Sequence, residues 1–424
     1  MPSNRPTSVT LRAYQVGFGD CFLLSFGYAG RRRTRRVLID FGSTSLPKWA
    51  GRKSMPDIAR NIAEACEGRL DAVVVTHRHK DHLSGFAGEA GEIIAGLRPE
   101  VVIQPWTEDP DVAVDETRPT LRARFQMAFA AMHQVAAYAL EEISRNGQGF
   151  TKTVRDQLAF LGEDNLSNAE AVKNLIEMDC RHVYAHYGSR SGLEKILPGV
   201  TVHVLGPPTL EQSETIRHQR DEDVDEFWHL QALAGKPGAR QLPRLFEKAE
   251  TISADELPVQ TRWFTKRLNA IRGDELLELG RALDHAMNNT SLVLLFEIGS
   301  KKLLFSGDAQ IENWTYALKA APDSERIRAL LADVTVYKVG HHGSLNATPK
   351  TLWNLFRHKG EEVTREDRLT TLLSTMAGKH GSTSRGTEVP REKLVTALKS
   401  QSELYNTQQL KGEKFYEDIT MEIP

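Results

Sequence analysis

The most informative segment of the chain reads Leu70-Asp71-Ala72-Val73-Val74-Val75-Thr76-His77-Arg78-His79-Lys80-Asp81-His82. Its first seven residues are mostly apolar and predict a short buried strand. In an extended segment residues i and i+2 point the same way, so His77 and His79 can reach one metal ion. If a helix begins near Asp81, then Asp81 and His82 can reach a second ion. The segment therefore predicts a metal site, and the alternative is a solvated polar loop.

The composition is that of a globular chain. The protein has 424 residues, with 54 Lys+Arg against 56 Asp+Glu, a hydrophobic fraction of 40% and a charged fraction of 26%. These values exclude a disordered tail and a wholesale binder of polyanions. No apolar run approaches the ~20 residues of a membrane helix, the start lacks the apolar region of a secretory signal, and three scattered cysteines are typical of a reducing compartment. We expect a cytoplasmic protein without membrane association.

Strand patterns occur toward both ends of the chain, and helical patterns dominate between them. The strands are predicted over Val9–Ser25 (around a turn), Arg36–Asp40, Leu70–Thr76, Glu100–Gln104, Val200–Leu205, Ser291–Ile298, Lys302–Phe305, Val334–Val339 and Leu369–Ser374. Helices outside the central region are predicted over Met55–Gly68, Glu89–Leu97, Asn313–Ala320 and Arg391–Ser400. This order predicts an α/β fold as a single domain over 1–424, interrupted by helical insertions at 105–199 and 208–286.

Two later segments place metal-binding side chains at strand ends. Ser306-Gly307-Asp308 follows one predicted strand, and Gly340-His341-His342-Gly343-Ser344 follows the next. Asp308 is well placed to bridge two ions, although a Gly-Asp turn is also common as structure. Of His341 and His342, we expect one to bind metal and the other to contact substrate or act as an acid.

Together these segments resemble the metallo-β-lactamase superfamily, and more closely the hydrolase domain of ComEC-type competence proteins. The further motifs that carry the resemblance are Val16-Gly17-Phe18-Gly19-Asp20 (V-G-x-G-D), Leu38-Ile39-Asp40-Phe41-Gly42 (L-I-D-x-G), Asn288 to Leu294 (N-x-S-L-V-L), Phe305 to Asp308 (T-G-D) and Lys338 to Ser344 (K-x-x-H-H-G-S). The segment from Leu373 to His380 is a looser match to the S-V-G…H-P loop.

The resemblance implies a four-layer αβ/βα sandwich with a metal site at the top of two facing sheets, and hydrolysis of phosphodiesters. The sequence departs from the superfamily where many members place a metal-binding histidine, since Asn288 and Asn289 stand there. The competence proteins also carry a membrane channel that this sequence lacks, so DNA transport is not implied.

The site assignment combines the residues with the resemblance. Imidazole and carboxylate ligands suit zinc or manganese. Because the His77–His82 segment can reach two neighbouring ions, we expect two divalent ions of this kind. The expected metal ligands are His77, His79, Asp81, His82, Asp308 and one of the pair His341 and His342. The candidate catalytic residues are Asp81, His342, His380 and Lys338, the candidate substrate contacts are Ser344, Asn289 and Lys379, and Asp40 is expected to support a ligand histidine.

The expected function is that of a metal-dependent hydrolase, a phosphodiesterase acting on nucleic acid or on a nucleotide. One alternative is hydrolysis of another ester or a lactone at the same metals. A second is a partner-regulated subunit whose helical insertions dock another protein or a second copy. The basic run Arg31–Arg36 indicates either a charged strand edge or a patch that contacts phosphate.

Overall fold

The structure is a computed structural model that describes residues 5–30, 33–47, 54–109, 169–209, 212–213, 288–364, 367–379, 388–410 and 414–424. All of these residues belong to one of the two units into which the chain divides. Most of the predicted insertions, 105–199 and 208–286, lies outside the described residues, as do Arg31, Arg32 and His380.

The described residues form two β-sheets. Their strands are β1 (Pro6–Tyr14), β2 (Cys21–Tyr28), β3 (Arg35–Phe41), β4 (Ala72–Val74), β5 (Val101–Pro105), β6 (Arg181–Ala185), β7 (Thr201–Gly206), β8 (Val293–Ile298), β9 (Lys301–Phe305), β10 (Val336–Lys338), β11 (Thr370–Leu373), β12 (Glu403–Asn406) and β13 (Tyr416–Glu422). The first sheet has the order β13-β1-β2-β3-β4-β5-β6, and the second has the order β12-β11-β10-β9-β8-β7.

Each sheet is antiparallel in one part and parallel in the other. Strands β13, β1, β2 and β3 pair antiparallel, whereas β3 to β6 run parallel. In the second sheet β7 to β9 pair antiparallel, whereas β9 to β12 run parallel. Because carboxyl ends of parallel strands meet at one edge, the segments after β3 and β4 lie together, and so do those after β9, β10 and β11.

Helices cover the outer faces of both sheets. They are α1 (Met55–Ala65), α2 (Lys80–Leu83), α3 (Gly88–Gly96), α4 (Ala169–Ile176), α5 (Ile311–Thr315), α6 (Ser324–Ala332), α7 (Lys350–Trp353) and α8 (Glu392–Gln401). Helix α1 begins where the Asp57 carboxylate accepts hydrogen bonds from the backbone and hydroxyl of Ser54. That contact satisfies N-terminal donors which an isolated helix leaves unpaired.

Three apolar clusters hold these layers together. Between the sheets, Phe22 packs against Phe305 with ring centroids 5.9 Å apart, and Phe26 packs against Phe296 at 6.2 Å. A second cluster joins the outer face of the first sheet to α1, α3 and α4. A third joins the outer face of the second sheet to α5, α6, α7 and α8. The predicted α/β class is confirmed as an α/β sandwich.

Some elements differ from the sequence-based expectation. Strand β4 covers only Ala72–Val74 of the predicted Leu70–Thr76. The predicted helix Asn313–Ala320 is α5 followed by a π-helical turn over Tyr316–Ala320. The interval 105–199 contains β6, a strand of the first sheet. None of the helices in the described ranges has the length and hydropathy that crossing a membrane requires.

Candidate metal centre

The segment after β4 turns back into the molecule and buries two side chains of the kinds that can bind a metal ion. The one-turn helix α2 carries Asp81 and His82, which are 3% and 0% exposed. Gly42 lets this turn lie directly against the end of β3, because a Cβ on Gly42 would fall 2.5 Å from backbone atoms of both residues. Close backbone contact of this kind requires glycine.

Asp308 and His342 reach the same region from the second sheet. After β9 the chain turns at Gly307, whose φ of +50° is favourable for glycine, and the backbone N–H of Asp308 donates to Ser291 Oγ at 3.1 Å. After β10, His341 and His342 adopt φ values of +42° and +51°. This left-handed conformation is uncommon for residues other than glycine. The strained turn directs the His342 ring inward, where it is fully buried.

Four side chains converge. One donor atom from each of Asp81, His82, Asp308 and His342 lies within 4.8 Å of the other three. His342 Nε2 is 2.5 Å from Asp81 Oδ2, and His82 Nε2 is 3.3 Å from Asp308 Oδ2 and 3.6 Å from Asp81 Oδ2. The two imidazoles and two carboxylates therefore face a common point.

The outer nitrogen of each histidine is already engaged. His342 Nδ1 lies 2.9 Å from the carbonyl oxygen of Ser374, which can only accept, so Nδ1 carries the proton. His82 Nδ1 lies 2.8 Å from Asp40 Oδ2, and the other oxygen of Asp40 accepts from the backbone of Thr76 at 2.7 Å. In the neutral rings both Nε2 atoms then present lone pairs toward the carboxylates, as they do in metal-binding histidines.

This donor set fits a divalent cation. Asp81 Oδ1, Asp308 Oδ2 and His82 Nε2 are buried and accept or donate no hydrogen bond within the described part of the chain. Buried polar atoms of this kind ordinarily have partners, and the 2.5 Å approach of His342 Nε2 to Asp81 Oδ2 needs a proton or a cation between the two atoms. Mixed nitrogen and oxygen donors suit zinc or manganese.

The electrostatics of the four residues indicate the same demand for positive charge. Burial disfavours ionised Asp81, but His82 and His342 outweigh burial and hold the pKa of its carboxyl below its usual range. Burial likewise opposes a charge on His82, but Asp308, Asp81 and Asp40 raise its pKa well above the usual value. The carboxylates are thus kept ionised, and the group attracts protons or a cation.

His77 and His79 lie beside this group but outside it. Both are buried, and His77 Nε2 is 3.0 Å from His79 Nδ1. Burial, with His82 and His79 nearby, lowers the pKa of His77 well below its usual value, so its ring is neutral. In the described ranges only two sets of three or more donors occur, namely Asp81-His82-Asp308-His342 and Asp20-Asp40-His82.

The remaining candidates occupy different positions. His341 is half-buried, its backbone N–H donates to Asp308 Oδ1 at 3.0 Å, and its Nδ1 is 3.1 Å from Ser344 Oγ. Asn289 is buried and accepts from Asn313 through its side-chain oxygen at 3.1 Å. Lys379 is exposed after β11, and His380 lies outside the described residues.

Lys338 and Asp20 add a pair of charges behind the donor set. Lys338, at the end of β10, is 2% exposed and forms an ion pair with the buried carboxylate of Asp20. Sequence reasoning assigned no role to Asp20, although the glycine-bounded turn before β2 was a signal. Asp20 Oδ2 is 3.7 Å from His82 Nδ1, so this aspartate belongs to the site's surroundings.

The described arginines of the basic run Arg31–Arg36 form ion pairs with carboxylates. Arg33 and Arg35 lie 2.5 and 2.7 Å from the fully buried carboxylate of Asp71, and Arg36 lies 2.5 Å from Glu67. These ion pairs favour the interpretation of the run as a charged strand edge. They leave less positive charge for a phosphate.

Comparison with known proteins identifies no family for the chain. A scan against protein-family models gives no match for the chain, and a search of curated proteins gives no relative. The buried group of histidines and aspartates, described from its own contacts, is therefore the feature that indicates a metal-binding protein.

Proposed function

We propose that the protein is a metal-dependent hydrolase with the four-layer αβ/βα metallo-β-lactamase fold, and that it cleaves phosphodiesters. The observation that carries the proposal is the convergence of Asp81 and His82 with Asp308 and His342. These residues come from three of the segments whose motifs resemble the ComEC-type hydrolase domain. Their meeting in space is what a shared catalytic centre requires.

Asp81, His82, Asp308 and His342 would hold the first cation in this proposal. His77 and His79 would contribute to a second position next to them. Divalent ions of the zinc or manganese type, when bound, act as Lewis acids and make hydroxide available near neutral pH. Asp40 and the Ser374 carbonyl hold the two ligand rings in the orientation that such binding needs.

The chain's own groups would manage the protons of the reaction. Asp81 Oδ1 has no hydrogen-bond partner among the described residues. In this proposal it accepts a hydrogen bond from the attacking water. His341 is half-buried, and its Nδ1 lies 3.1 Å from Ser344 Oγ. In this proposal His341 is the general acid that donates a proton to the leaving oxygen when the P–O bond breaks. Lys379 and His380 stay proposals for contacts with the phosphate.

The substrate class within this proposal is a nucleic acid or a nucleotide. The described arginines of the basic run are paired with carboxylates, which favours a small nucleotide over a long polyanion at that strand edge. Polynucleotide cleavage would depend steeply on salt, whereas cleavage of a nucleotide would not. A salt titration with each substrate therefore separates them.

The decisive experiment uses the purified full chain with manganese or zinc and bis(p-nitrophenyl) phosphate. We expect cleavage that a chelator abolishes and that His342→Ala removes. His203→Ala is the matched control, because His203 pairs with Glu297 at 3.0 Å on β7 and belongs to neither donor set. Metal-loaded protein that cleaves lactones or other esters but no phosphodiester would contradict the proposed bond class, and failure to bind either metal would contradict the whole proposal.

A protein partner or a second copy, docked through 105–199 or 208–286, is a separate proposal. Its test is the mass of the complex recovered from native extract, measured by light scattering. A chain that always elutes as a lone monomer would contradict it.

A further inference from the structure

Asp20 and Lys338 form a buried ion pair that joins the two sheets. Asp20 immediately precedes β2 in the first sheet, whereas Lys338 is the last residue of β10 in the second. Asp20 is fully buried and Lys338 is 2% exposed, and the Lys338 ammonium contacts Asp20 Oδ2. Burial of both charges is costly, so a pair in this position needs close mutual contact to be tolerated.

The same ammonium lies close to a proposed metal ligand. Lys338 Nζ is 3.5 Å from Asp308 Oδ1 and 3.3 Å from the carbonyl oxygen of Gly307. Asp308 Oδ1 also accepts the backbone N–H of His341, whereas Asp308 Oδ2 faces His82. One oxygen of Asp308 is therefore directed to the chain's own donors, and the other is directed to the donor set.

This arrangement creates competition for Asp308. A lysine ammonium and a divalent cation would both be attracted to the carboxylate, and at these distances their mutual repulsion in a buried site is large. Asp20 changes the balance because its carboxylate is closer to the ammonium than Asp308 is. The charges of Asp20 and Lys338 cancel, and the Asp40 carboxylate is engaged by His82 and Thr76, so Asp81 and Asp308 are the two carboxylates that face one divalent ion.

We propose that Asp20 is a positioning residue that holds Lys338 away from Asp308 and so keeps Asp308 available to the metal. The inference rests on the proposed function, since it concerns the same cation site. It assigns Lys338 to the balance of charge behind the ligands. Asp20 acts only through Lys338.

The test is the affinity of the metal-free full chain for Mn²⁺, measured by isothermal titration calorimetry. Asp20→Asn leaves the ammonium without its partner, so we expect Mn²⁺ affinity to fall by about tenfold or more. Asp20→Asn combined with Lys338→Met removes both charges, and we expect affinity to return to within about threefold of the wild-type value, because a neutral pair of similar volume replaces the ion pair. Thermal unfolding of each metal-free variant reports whether it folds.

Each outcome has a separate meaning. Wild-type protein that binds no Mn²⁺ contradicts the proposed function, whereas wild-type and Asp20→Asn proteins that bind equally well overturn this inference. Loss of affinity that the double variant does not restore also overturns it, since the effect would then come from packing rather than charge. If Asp20→Asn does not fold, Lys338→Met alone decides, because removal of the competing ammonium should raise Mn²⁺ affinity, and unchanged or lower affinity overturns the inference.

Discussion

Asp40 illustrates how one residue near the end of β3 controls a neighbouring side chain of the donor set. Its carboxylate accepts from the backbone and hydroxyl of Thr76 and from His82 Nδ1, so both oxygens are engaged. Its φ of +54° is uncommon for a residue other than glycine, and these bonds hold the strained conformation. The consequence is a His82 ring fixed in rotation and tautomer.

Asp40→Asn tests this role at the level of a single side chain. The amide places a donor where a carboxylate accepted, so the contacts with Thr76 and His82 cannot both be kept. We expect Mn²⁺ affinity to fall by about 10- to 100-fold, the usual effect of losing such a supporting group. Calorimetry measures it, with Asp418→Asn as the control because Asp418 pairs with Arg12 at the partly exposed edge strand β13. Equal affinities in the two variants would contradict the assignment.

Single residues also show what the sequence can and cannot predict. Asp81 and His82 were identifiable because three histidines and an aspartate are concentrated after an apolar strand. Asp20 was not assigned, because an aspartate in a glycine-bounded turn has an ordinary local explanation. Its partner Lys338 lies far along the chain, and only the meeting of the two sheets brings the charges together.

At the scale of elements, the position of α2 depends on how closely β3 approaches it. The Gly42 backbone N–H donates to the backbone carbonyl oxygen of Asp20 at 3.0 Å. The backbone N–H of Asp20 in turn donates to the backbone carbonyl oxygen of Asp81 at 2.8 Å. These bonds fix the turn that carries Asp81 and His82. The absence of a side chain at Gly42 is therefore a requirement of the packing.

Gly42→Ala should disturb that packing. The added Cβ would lie 2.5 Å from backbone atoms of Asp81, His82 and Leu83, so α2 must shift. We expect unfolding free energy to fall by about 1–3 kcal/mol, with a loss of metal affinity. Chemical denaturation and calorimetry measure the two effects.

Gly96→Ala is the matched control for that substitution. Gly96 ends α3, and a Cβ there would meet no atom within 4 Å. We expect unchanged metal affinity and a stability gain of about 0.5–1 kcal/mol, because alanine restricts the unfolded chain. A Gly42→Ala protein that behaves like this control would show that the close approach is unimportant.

Elements with strong apolar patterns were predictable and weaker ones were not. The strands around the His77–His82 segment, and β8 to β11, follow apolar runs that the sequence shows directly. Strand β13 was missed because its first residues, Tyr416 to Asp418, are polar or charged, and apolar alternation through Ile419 and Met421 covers only its second half. It forms through pairing with β1 at the opposite end of the chain, which local pattern does not encode.

At the scale of the whole molecule, the donor set lies where the two sheets meet. Asp81 and His82 follow β4 of the first sheet, whereas Asp308 and His342 follow β9 and β10 of the second. The α/β class and this meeting of strand ends could be predicted from the order of strands and motifs. The residues 110–168 and 214–287 lie outside the described part, and the predicted helical insertions stay predictions there.

Metal binding at such a junction should stabilise the fold. A ligand that binds only the native state at about 100 times its dissociation constant adds about 2.7 kcal/mol. We expect Mn²⁺ or Zn²⁺ to raise the melting temperature by several degrees and a chelator to reverse the shift. Differential scanning calorimetry measures it, and His342→Ala should show no shift. An unchanged wild-type melting temperature at saturating metal would contradict cation binding across the junction.

The order of the donors along the chain has a consequence for synthesis. A ribosome adds Asp81 and His82 first, Asp308 much later and His342 later still, while β13, which lies beside β1, follows all four donors. A nascent polypeptide therefore lacks the full set of donors until His342 has been added. Any hydrolytic capacity would arise only after the segment that carries His342 has been made and has folded against the first sheet.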